Sequence, residues 1–138
     1  ERAGYINGSM PHFVVDKVQD ALNNAAKPVN GSHIHVAGVA YKKNIDDVRE
    51  SPALDVILLL EKLGAKVSYS DPFIPSIKLD GRDMQGVELL GAAAAADCVV
   101  IVTDHTTFDY QALLDASKLI VDTRNAMKTL KSPKIVRL

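Results

Sequence analysis

A three-layer α/β fold, a parallel sheet with helices on both faces, is what this sequence predicts, and three observations carry that expectation. Short runs rich in β-branched residues alternate along the chain with segments of helical periodicity. One run, Asp97-Cys98-Val99-Val100-Ile101-Val102-Thr103, is continuously apolar through its middle, as a strand covered on both faces requires. Polar and charged residues follow the carboxyl ends of the runs, where open α/β sheets hold their ligands.

The elements follow in order. Residues 1–9 are expected to be a lead-in loop. A first helix is expected from about Met10 to Ala26, because Val14, Val15, Val18, Leu22 and Ala25 recur at helical spacing. Pro11 suits its first turn. The segment Lys27-Pro28-Val29-Asn30-Gly31-Ser32 is turn chemistry and stops it. The first strand runs from His33 to about Val39. Ser51 has the hydroxyl of a helix N-cap and Pro52 the fixed φ of a first helical position, so the second helix begins there. Ala53, Leu54, Val56, Ile57, Leu58, Leu59, Leu60 and Leu63 leave it few polar positions, and Gly64 ends it. The second strand is Lys66 to Ser70, closed by Asp71-Pro72. Residues 72–85 read as irregular. Val87 to Ala96 is a short alanine-rich helix, followed by the apolar strand. Tyr110 to Ala116 is a short helix capped by Asp109. Lys118 to Asp122 is another buried strand, and Ile135 to Leu138 adds an edge strand.

Size and composition bound the function. A chain of 138 residues can bury a real core as one domain. A net charge of -1 argues against a nucleic-acid-binding surface. No run approaches the ~18–20 apolar residues of a membrane span. A single cysteine excludes an internal disulfide framework and a Cys-based zinc site, and implies a reducing, cytoplasmic setting. Glu1 is not a natural start, so the chain is expected to be a piece of a longer protein, and the lack of a visible signal peptide means little.

The right-handed crossover rule would bring Ala40–Arg49, Asp71–Pro72, Thr103–His105 and Thr123–Arg124 to one rim. The segment Gly38-Val39-Ala40-Tyr41-Lys42-Lys43-Asn44-Ile45-Asp46-Asp47-Val48-Arg49-Glu50-Ser51-Pro52 dominates it. Its opening resembles a dinucleotide fingerprint without completing one: the later glycines are missing and the loop is too long for a tight pyrophosphate turn. Gly38 and Ala40 serve either a ligand or simple strand-to-helix packing. Lys42, Lys43 and Arg49 are either solvated loop charges or cations placed for a diphosphate. Asp46 and Asp47 can pair with Arg49 and order the loop. Arg124 is either a ligand contact or the partner of an acid such as Asp122. A phosphoacceptor reading fails, since Asp71 and Arg124 are poor substitutes for the residues it needs. Cys98, inside an apolar run, reads as a small hydrophobe rather than a nucleophile. His33 and His35 share a strand face but have no third ligand at metal spacing. His12 and His105 have no assigned role.

The long segment from Gly38 to Pro52 resembles the hallmark of the UDP-glucose/GDP-mannose dehydrogenase family, at the start of its carboxyl-terminal UDP-binding domain. Met10-Pro11 with Val14-Val15, then Ser68-Tyr69-Ser70-Asp71-Pro72, Thr103-Asp104-His105 and Asp122-Thr123-Arg124 continue the likeness in order over nearly the whole chain. The resemblance implies a Rossmann-like domain at 31–138. Residues 1–30 would be a lead-in loop and linker helix from a central region. Members oxidise the C6 alcohol of a nucleotide sugar to a carboxylate with two NAD⁺. NAD is held mainly by an amino-terminal Rossmann domain, and the catalytic cysteine, lysine and aspartate also lie upstream. By this likeness the chain contributes no catalytic residue and no metal ligand, and alone would be inactive.

By motif position Tyr41 and Lys42 match substrate contacts, and Arg49 matches a residue that reaches NAD. Arg124 matches an arginine that contacts substrate, in some members across a subunit boundary. The Asn-Ile-Asp-Asp-Val form with Tyr41 is most similar to members acting on UDP-N-acetylhexosamines, with UDP-glucose as the other candidate. Expected partners are a UDP-sugar, the preceding Rossmann domain and further copies of the protein. The rival readings are a stand-alone nucleotide-binding module and a dimerisation module without catalysis.

Overall fold

The computed structural model describes residues 2–40 and 51–138. Its centre is a five-stranded, all-parallel sheet of β1 (His33–Ala37), β2 (Lys66–Ser70), β5 (Cys98–Ile101), β6 (Ile120–Asp122) and β7 (Ile135–Arg137), in the order β2-β1-β5-β6-β7. Strand order reverses between β1 and β5, which makes their carboxyl ends the switch point. Helices α1 (Arg2–Asn24) and α2 (Pro52–Lys62) pack together, as do α3 (Leu89–Ala95) and α4 (Tyr110–Ala116).

Period-two alternation divides the core into two layers. Ile34, Val36, Cys98, Val100 and Val121 join one cluster with Val18 and Leu22 of α1 and Val56, Ile57 and Leu60 of α2. Ala37, Val99, Ile101 and Ile120 join the other, with Ala93 of α3 and Leu113 and Leu114 of α4. Every residue of β5 and β6 is buried, which accounts for their unbroken apolar runs. Burying side chains such as Ile57 or Leu60 contributes about 1.5–3 kcal/mol each.

The helix ends obey their sequence signals. Ser51 caps α2 by accepting from the Ala53 N–H at 3.1 Å, with Pro52 first in the helix. Asp55 in its first turn and Lys62 in its last suit the helix dipole. Gly64 ends it at φ +95, where an added Cβ would lie 2.3 Å from Asn30 Oδ1. Asp109 caps α4 through the Ala112 N–H.

Four expectations are corrected. The presumed loop at residues 1–9 is helical from Arg2 onward, so Pro11 stands inside α1 rather than in its first turn; glycine and proline weaken a helix without forbidding it. That helix stops at Asn24, two residues early. Ala26 takes a left-handed φ of 62, with Lys27 N–H bonded to Leu22 O and Ala26 N–H to Asn23 O, leaving Ala25 exposed. The segment 72–85 holds an antiparallel hairpin, β3 (Ser76–Leu79) and β4 (Arg82–Gln85). Asp80 and Gly81, both at positive φ, form its two-residue turn, and Ile77 and Leu79 point inward while Ser76 and Lys78 point out. The strands are shorter than their apolar runs: β1 ends at Ala37 and β6 starts at Ile120, because polar turn geometry takes over at each end.

Candidate functional site

The carboxyl rim of the sheet is built around Asp71, the first residue after β2. Its Oδ2 accepts from the backbone N–H groups of Val39 (2.8 Å) and Ala40 (3.0 Å) and from His105 Nε2–H (2.8 Å), and its Oδ1 accepts from Phe73 N–H. Neither the Asp71 nor the His105 side chain is exposed. The His105 ring contacts Phe73 and Phe108, at 5.1 and 5.4 Å between centroids. Thr103, after β5, donates its hydroxyl to Ala40 O at 2.7 Å. It also packs so closely on Gly38 that a Cβ there would lie 2.6 Å from Thr103 O. Gly38 has φ +88, so both the conformation and the contact require glycine. Ala40, Asp71 and Thr103–His105 therefore meet at one rim, as strand order predicts.

The same contacts decide what this turn can hold. The N–H groups of Val39 and Ala40 occupy the place where a dinucleotide fold cradles a pyrophosphate, and here the protein's own carboxylate fills it. Those two backbone donors are therefore committed to the chain itself rather than to a phosphate.

Asp122 organises the next part of the rim. Its buried carboxylate accepts from the N–H groups of Arg124 (3.1 Å), Ala126 (3.0 Å) and Met127 (2.8 Å). These bonds fold 123–127 into a tight turn, with Asn125 at φ 56 and Arg124 exposed. Thr123 ties the turn to β5 by donating to Ile101 O. The suggested pairing of Arg124 with Asp122 is thus a backbone contact. The Arg124 guanidinium makes no ion pair among the described residues. It lines a hollow of ≈ 560 Å³ with Thr123, Asn125 and Arg137. Arg137, which sequence reasoning missed, is the residue whose guanidinium approaches Asp122, at 3.7 Å. Its signal was register: β7 runs parallel to β6 and sets Arg137 opposite Asp122.

Tyr41, Lys42 and Arg49 lie outside the described residues, as do Lys43, Asp46 and Asp47. Their segment follows Ala40, three residues past the end of β1, and β1 lies two strands, roughly 10 Å, from β6, which Arg124 follows. A second hollow, of ≈ 400 Å³, lies at the end of β2 between Pro72, Val87, Leu90 and Phe108.

The remaining titratable candidates have structural partners. His35 Nδ1 lies 2.6 Å from Ser68 Oγ and its Nε2 2.7 Å from Ser70 Oγ, while His33 Nε2 lies 2.8 Å from Ser68 Oγ. Ser70 donates its hydroxyl to Val87 O, so it accepts from His35 Nε2–H, and Ser68 donates to Nδ1. Burial, with His33 nearby, lowers the His35 pKa to about 4, which keeps the ring neutral. Cys98 is fully buried and burial pushes its thiol up to about 12, the opposite of an activated nucleophile. Among the described residues no three His, Cys, Asp or Glu side chains group as a metal site, and no helix is long and apolar enough to cross a membrane.

Comparison with known proteins gives the family and the fold. Residues 35–129 match the UDP-binding domain of the UDP-glucose/GDP-mannose dehydrogenase family. The chain is 38% identical over 127 residues to an NDP-N-acetyl-D-galactosaminuronic acid dehydrogenase of Ralstonia nicotianae, covering 86% of this chain and 28% of that protein. It is 36% identical over 110 residues to a UDP-N-acetyl-D-mannosamine dehydrogenase of Salmonella typhimurium, covering 75% of this chain and 26% of the relative. Among solved structures, a UDP-D-ManNAc dehydrogenase from Pyrococcus horikoshii superposes with a TM-score of 0.79 at 28% identity, over 99% of this chain and 32% of that one. The chain thus spans about a quarter to a third of the length of these proteins.

Proposed function

This chain belongs to the UDP-glucose/GDP-mannose dehydrogenase family, and we propose that it is the part of an NAD-dependent nucleotide-sugar 6-dehydrogenase that grips the UDP end of the substrate. Residues 31–138 are the binding unit. Residues 1–30 are its connection to a preceding central region, seated on the core through Val14, Val18 and Leu22. The observation that carries the reading is Arg124, an exposed cation in a hollow at the carboxyl end of a central parallel strand. A guanidinium there offers the fixed fork that a phosphate accepts. Tyr41 and Lys42 are assigned to the same substrate, and Arg49 to the NAD held by a preceding Rossmann domain. The names of the relatives favour a UDP-N-acetylhexosamine over UDP-glucose.

NAD, when bound by the longer protein, accepts hydride from the sugar C6. This chain holds the far end of the substrate, so its binding energy orients C6 without touching the reacting atoms. The assembled protein is proposed to be a cytoplasmic homo-oligomer.

Calorimetric titration with UDP tests the reading. Weak binding is expected, because part of the site belongs to other domains, and Arg124→Ala should abolish it. Binding that Arg124→Ala leaves intact would overturn the placement of the site.

A further inference from the structure

Arg137 stands on the wall of the same hollow as Arg124, and we propose that it is a second phosphate-binding cation, so that the two guanidiniums share one diphosphate. This rests on the reading above and extends it by a residue that no motif of the sequence singled out. Three observations support it.

First, the buried acid nearest to Arg137 does not saturate it. Asp122 commits both its oxygens to three backbone N–H groups, and Arg137 Nη1 stays 3.7 Å away, beyond hydrogen-bond length. Second, the side chain is 38% exposed, and its Nη2 donates to Leu130 O. A guanidinium carries five N–H donors, so several remain directed toward the hollow or solvent. Third, both arginines lie beside Asp122, Arg137 directly opposite it in register on β7 and Arg124 two residues after it, in the turn that follows β6. The lining of the hollow thus brings together two arginine side chains and the one buried carboxylate of Asp122. An anion with two charged groups fits that arrangement better than one with a single group.

A purely structural role, in which Arg137 only neutralises Asp122, predicts something different. It would affect all ligands of the hollow alike, through the turn that displays Arg124.

The test is a titration of wild-type chain, Arg137→Gln, Arg137→Lys and Arg124→Gln with UDP, UMP and inorganic pyrophosphate, with thermal midpoints recorded for each variant. The expected result is that Arg137→Gln weakens UDP and pyrophosphate at least tenfold and UMP less than threefold. Arg137→Lys, which keeps the charge beside Asp122, should recover part of the loss. Equal weakening of UDP and UMP, or no change in either, would overturn the proposal and leave Arg137 a brace for Asp122. Wild-type chain that binds pyrophosphate but not UDP would overturn the nucleotide reading while keeping the two-cation site. Binding of neither would overturn both.

Discussion

Asp71 and His105, 34 residues apart in sequence, meet through a 2.8 Å hydrogen bond with neither side chain exposed. The carboxylate also holds the backbone of Val39 and Ala40, so this one pair joins the ends of β1, β2 and β5. Removing the acid would take away the acceptor of those two N–H groups, of the Phe73 N–H and of the His105 Nε2–H. Asp71→Ala is expected to destabilise the fold by about 3–5 kcal/mol, read as a fall in urea midpoint. A loss under about 1 kcal/mol would show that the rim does not depend on this pair.

Two glycines with similar backbones separate strain from contact. Gly31 at φ +87 has nothing within 4 Å of where a Cβ would stand, whereas at Gly38, φ +88, that position lies 2.6 Å from Thr103. Gly31→Ala should cost only the left-handed penalty of about 1–2 kcal/mol. Gly38→Ala should cost clearly more, because Thr103 backbone has to move. Equal melting temperatures for the two variants would contradict the close packing of β1 on the segment after β5.

Acid should weaken the fold through His35. Its folded pKa, about 4, lies below the usual 6.5, so the unfolded chain takes up the proton first. The His35 contribution is complete above about pH 6.5, falls as pH drops toward 4, and levels off below that. The whole effect is on the order of 3 kcal/mol. Urea midpoints across the range from about pH 4 to about pH 7 measure it, and His35→Gln should flatten that part of the profile. An unchanged slope in the variant would assign the acid limb to other groups.

Asp122→Ala should release the turn of 123–127, since three N–H groups lose their acceptor. Stability should fall by at least about 2 kcal/mol, and UDP binding should fall with it because Arg124 loses its anchored backbone. UDP affinity retained in a destabilised variant would mean that Arg124 does not need this turn.

The sequence displayed the fold better than the site. Ser51-Pro52, Asp109 and the unbroken run at Cys98–Ile101 carry local signals that act within a few residues, and the structure follows them. The hairpin at 76–85 was also legible, in Asp80-Gly81 and the alternation of Ile77 and Leu79, but Pro72 and Pro75 made the region read as loop. The rim was harder. Parallel order brought Asp71, Thr103 and Arg124 to one edge, yet whether an acid faces a ligand or its own backbone depends on contacts across strands. Asp71 and Asp122 both proved to be caps for the chain itself. Arg137 stayed hidden because a three-residue edge strand gives no motif, only a register.

The Asp71 carboxylate has a consequence for how the molecule meets its ligand. By holding the N–H groups of Val39 and Ala40 from within the protein, it fixes the backbone that leaves β1 as part of folding. At those two residues little ordering is left for any ligand to impose, so the entropic cost of shaping them falls on folding rather than on binding.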